Sequence, residues 1–170
     1  MEFALVAPIL LLLLLAIGDF ARLYTSEIAV ESAAREAADY GAFAAGQWNT
    51  AGNAALTVDQ MISRACTAAS NLPDYIATGD ATTQCSVAGS NPRFSYELED
   101  STGQPIVDPP GACGDPATEP PCVVHVTMTY TYHTFFEVPP IPLLNFSPYP
   151  ATVQVRRDSR YAISDLAAPN

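Results

Sequence analysis

The chain divides by the spacing of its apolar positions into three stretches. Residues 3–18 carry no charge and include six consecutive leucines at 10–15, a continuous apolar run with no polar face. At ~1.5 Å per residue it covers ~24 Å of helix, slightly less than the ~30 Å apolar core of a bilayer. Beyond it, residues 20–45 contain no proline and only Gly41, and eight of the 17 residues at 29–45 are alanine, the best helix former. The two stretches predict one helix over residues 3–45, about twice as long as a bilayer core is thick, so half of it projects beyond any membrane. Pro8 falls within the apolar half, where a proline kinks or opens a helix. Asp19 with Arg22, and Glu31 with Arg35, are spaced to meet on the helix surface and read as solvated partners.

Residues 46–52 break the helix. Thr57, Val58, Asp59 and Gln60 then form a capping-box pattern that predicts a second helix to about residue 71, with Val58, Met61, Ile62, Ala65, Cys66 and Ala69 on one apolar face. Thirteen of the 15 prolines lie from Pro73 to Pro150, which leaves strands and long loops for the rest. Residues 123–136 alternate, with Val124, Val126, Met128, Tyr130, Tyr132 and Phe136 on one face and His125, Thr127, Thr129, Thr131 and His133 on the other. Residues 152–163 place Val153, Val155, Tyr161 and Ile163 opposite Arg156, Asp158 and Arg160, and the proline-rich link 137–150 joins the two strands as a long hairpin. Phe94, Tyr96 and Leu98 alternate within 93–99, and residues 85–87 offer a further edge. The expected fold is α+β: a long N-terminal helix, a second helix and a small antiparallel sheet of three or four strands. Its expected division is an apolar membrane or filament-core segment at 1–24 and an extracytoplasmic head at 25–170.

Composition narrows the function. A net charge of −11 and a pI near 4.2 leave no basic footprint for nucleic acid. All seven bases are arginine, which removes every lysine chemistry. Cys66, Cys85, Cys113 and Cys122 all follow the apolar run, on the oxidising side if that run is an anchor, so disulfides are the expectation. Their spacing fits no zinc pattern. Of three connectivities, Cys113 with Cys122 closes the shortest loop and leaves Cys66 with Cys85. The two histidines, eight residues apart on a strand, are separated by ~26 Å and cannot serve one site. Glu97, Glu99 and Asp100 precede the turn at Ser101-Thr102-Gly103 and offer a cation carboxylates, but a solvated turn is the plainer reading. Asn145-Phe146-Ser147 has the form of a glycosylation acceptor. No catalytic motif is present, so no enzyme, cofactor or metal is expected.

The opening residues, from Met1 and Glu2 through Phe3 to Pro8 and Leu12, then Gly18-Asp19-Phe20-Ala21-Arg22, then Ala33-Ala34-Arg35-Glu36-Ala37-Ala38-Asp39-Tyr40, resemble the start of TadE-like proteins of the tight-adherence (Tad) pilus. The resemblance covers about the first 45 residues. It implies a type IV pilin-like prepilin whose short basic leader is cut by a prepilin peptidase after a glycine, leaving the family glutamate fifth in the mature chain. That acid corresponds to Glu2, and the sequence departs from the pattern in beginning with Met where Val is usual. The resemblance further implies assembly through Glu2, Phe3 and Pro8. The partners would be other pilin-like subunits, the membrane before assembly and the Tad machinery. The location would be single-pass in the cytoplasmic membrane before assembly and in a cell-surface pilus afterwards. Two other readings stand beside it: an anchored or secreted extracytoplasmic binding module, and a signal peptide cut after Gly18, since Ala16-Ile17-Gly18 is a small-x-small site.

Overall fold

The computed structural model of the chain describes residues 2–43, 48, 53–76, 78, 85–106, 121–135 and 151–163. Helix α1 (Glu2–Phe43) runs 42 residues, ~63 Å, without a break at Pro8. Helix α2 (Asn53–Ala69) packs against its second half. Strands β1 (Arg93–Glu99), β2 (Val123–His133) and β3 (Thr152–Ala162) form one antiparallel sheet in the order β1-β2-β3, with α1 packed against β2 and β3. The expected α+β architecture is therefore the observed one, with three strands among the described residues.

The core is a sandwich of helix and sheet. Val30, Ala33, Ala34, Ala37 and Ala38 present one stripe of α1 to Met61, Ile62, Ala65, Cys66 and Ala69 of α2 and to the inner side of β2, where Val124, Val126, Met128, Tyr130 and Tyr132 are all buried. The alanines thus do more than favour helix: small side chains let three elements approach closely. Gly41 ends the stripe, and a Cβ there would come within 2.8 Å of Met61 Sδ and 3.1 Å of Val124 Cγ1. Its carbonyl accepts a 2.9 Å hydrogen bond from the indole of Trp48, which fills the end of the core.

Several local expectations change in the fold. α2 begins at Asn53, four residues before the capping-box threonine, because nothing in residues 53–56 breaks a helix. Thr57 accordingly lies inside the helix with its side chain buried. Residues 85–87 form a turn and not a strand edge. Cys85 is tied by a disulfide to Cys66 of α2, its carbonyl accepts from the Phe94 amide, and the chain reverses at Gly89, whose φ of 93° favours glycine. On β3, Val153 and Val155 turn inward with Arg157 and Ser159, while Tyr161 is exposed. Arg157 can occupy the inner side because Glu27 of α1 pairs with it. Tyr130 donates to the carbonyl of Pro73, and burial, followed by the charge of Asp74, pushes its pKa from 10.0 up to about 12.

The Cys66–Cys85 bridge spans 19 positions and joins α2 to the approach to β1. Restricting the unfolded chain by a loop of this length stabilises the fold by about 3 kcal/mol. Replacing both cysteines by alanine should lower the unfolding free energy by about that amount, as read by urea denaturation without reductant. Cys122 is also disulfide-bonded; Cys113, the glycosylation pattern at Asn145, Phe136 and the 137–150 link lie outside the described residues.

Candidate anchoring and assembly surface

The two halves of α1 differ in what surrounds them. Val6, Ile9, Leu10, Leu11, Leu12, Leu13, Leu14 and Ile17 are all at least 48% exposed, around the whole circumference of the helix. Covering these eight side chains with lipid or neighbouring helices is worth on the order of 20 kcal/mol. Among the described residues, α1 is the helix long and apolar enough to cross a membrane. Glu2, Phe3 and Pro8 belong to its helical backbone, while their side chains lie outside the described residues.

The boundary between the halves is set by Asp19, which is only 4% exposed. One carboxylate oxygen accepts from the Tyr132 hydroxyl and the other from the Phe135 backbone N–H at 3.3 Å. This corrects the reading of Asp19 as a solvated partner of Arg22. The Arg22 guanidinium instead lies 5.7 Å from the centre of the Phe135 ring, and Leu14, Leu15, Gly18, Asp19, Arg22 and Phe135 line an open cleft of about 220 Å³. Glu31 and Arg35 do form the expected exposed pair. The position of Asp19 carries a signal in the sequence: Asp19, Leu23, Ser26, Val30, Ala33, Ala37 and Gly41 follow steps of four and three, so the aspartate continues the buried stripe by one turn.

A polar grouping occupies the outer face of the sheet. Asp100 closes a turn, accepting from Thr102 N at 2.8 Å, Thr102 Oγ1 at 2.7 Å and Gln104 N at 2.9 Å, and the Thr102 hydroxyl chiefly holds its pKa below the usual carboxylate value. The fold groups Glu97 and Glu99 with His125, and not with Asp100. Glu99 is 5% exposed and meets His125 Nδ1 at 2.8 Å and Arg160 at 3.2 Å. His133 stands apart, 3.4 Å from Asp74. The two histidines therefore serve separate places, as their spacing requires. Sequence reasoning missed the Glu97–Glu99–His125 grouping because the histidine lies on another strand.

No curated protein and no solved structure matches the chain. The exposed apolar half of α1 fits a membrane anchor, and the family that the opening motif resembles also matches the chain. Residues 1–39 fit the model of the family described as TadE-like protein, a match confined to α1 that ends within its buried stripe.

Proposed function

We propose that the protein is a non-enzymatic structural subunit, a major or minor pilin, of a Tad-type pilus. The observation that supports this most is the eight exposed apolar side chains on a helix whose continuation is the core of the head. A surface of that size needs an apolar environment, and the same helix can exchange lipid for neighbouring subunits as it moves from membrane to filament. In this reading residues 1–24 serve the membrane and the filament core, residues 25–170 form the extracytoplasmic head, and the segment at 19–24 is where the two meet. The protein is single-pass in the cytoplasmic membrane before assembly and in the surface pilus afterwards, and its partners are pilin-like subunits, the prepilin peptidase and the assembly machinery.

Glu2 sits at the apolar end, where an unpaired carboxylate costs a few kcal/mol in hydrocarbon. Pairing with the N-terminal amine of a neighbour removes that cost. Glu2→Ala and Glu2→Leu are expected to leave the amount of protein in the membrane unchanged and to abolish surface filaments, as followed by membrane fractionation and by shearing. Normal filament yield in both variants would refute the pairing role.

A further inference from the structure

The outer face of the sheet carries chemistry that anchoring does not use. Glu97 of β1 is paired in register with His125 of β2, and Glu99, two residues on, shares its face by the alternation of the strand. One oxygen from each glutamate and a ring nitrogen of His125 lie within 4.8 Å of one another. An ion bound at ~2.0–2.2 Å needs its ligand atoms within ~4.4 Å of one another, a closure of a few tenths of an ångström that the exposed Glu97 side chain can supply. The other ring nitrogen, Nε2, is buried and has no hydrogen bond, although Asp158 Oδ1 stands 3.6 Å away. Asp158 is itself held by the Thr127 hydroxyl at 2.6 Å and by Arg156 Nε at 3.4 Å.

We propose that Glu97, Glu99 and His125 bind a divalent transition-metal ion. His125 Nδ1 and one oxygen of each glutamate are the ligands, and water completes the coordination. When the ion takes Nδ1, the ring proton resides on Nε2 and points at the Asp158 carboxylate, which fixes the tautomer and the ring orientation as outer carboxylates do in histidine metal sites. That accounts for the orphaned Nε2. Imidazole nitrogen beside carboxylate oxygen favours zinc and its neighbours over magnesium or calcium, which prefer oxygen alone. Entry is from solvent past Glu97, which is exposed. Arg160, whose side chain is 60% exposed, neutralises Glu99 in the metal-free state and is free to swing aside.

The test is calorimetric titration of Zn²⁺ into untagged full-length protein in detergent, stripped beforehand with a chelator. One ion per chain is expected. Glu97→Gln and His125→Gln should each weaken binding roughly tenfold or more, and Asp158→Asn by about tenfold to a hundredfold. Arg160→Gln should tighten it by removing the competing cation. Because the Glu97 side chain is exposed, Glu97→Gln keeps its fold, which circular dichroism checks. Absence of saturable one-to-one binding, or equal affinity in Glu97→Gln, His125→Gln and the parent protein, overturns the proposal.

Discussion

A chain starting at Asp19 is expected to be a soluble, folded monomer that never enters filaments, whereas the full chain requires membrane or detergent. The deletion removes the eight exposed apolar side chains of residues 6–18 and leaves the Asp19 contacts, the buried stripe of α1, α2, the Cys66–Cys85 bridge and all three strands. Most of the apolar surface that drives association is lost, on the order of 20 kcal/mol of transfer free energy, while the packed core is untouched. Size-exclusion chromatography without detergent and mixed α and β circular dichroism read the outcome. A chain starting at Thr25 should be soluble too but less stable, since Tyr132 then loses its carboxylate acceptor. A shortened chain that still aggregates, or that still appears in sheared filaments, would contradict the assignment of residues 1–18. The native protein decides between anchor and signal peptide: recovery only as a soluble extracellular form beginning at Asp19 would sink the pilin reading.

Asp19→Ala should cost about 3 kcal/mol of head stability, close to what the disulfide contributes. The buried carboxylate accepts from a tyrosine hydroxyl and a backbone amide, bonds to a charged acceptor are worth about 1.5–3 kcal/mol each, and truncation leaves the Tyr132 hydroxyl without this acceptor in a buried setting. For a head of this size the loss corresponds to a Tm lower by roughly 6–12 °C. Asp19→Asn, which keeps an acceptor, should lose less. A double-mutant cycle with Tyr132→Phe isolates the contact, and a coupling well above about 0.5 kcal/mol is expected. Additive effects of the two substitutions, or a cost for Asp19→Ala below about 0.5 kcal/mol, would restore the reading of Asp19 as a solvated helix charge.

These two results concern different kinds of information. The chain's own periodicity determined the long helix, the face of α2 from Val58 to Ala69, and the alternation of β2 and β3, because each is set by neighbours within a few residues. The apolar run likewise shows itself by length alone, and the TadE-like motif that overlaps it made the N-terminal segment the most legible part of the protein. Where one local rule faced another, sequence was a weaker guide: the capping-box threonine was outvoted by four helix-compatible residues before it, and the 85–87 strand by a disulfide and a turn.

Tertiary structure decided the polar positions. Asp19 is 113 residues from the hydroxyl that donates to it, Glu99 meets a histidine 26 residues away, and Arg157 faces the core only because α1 brings Glu27 to it. Apolar side chains need only to leave water, so their placement repeats along each element and can be read from it. A buried carboxylate or guanidinium needs a particular partner at hydrogen-bond distance, and that partner is supplied by whichever element the fold lays alongside.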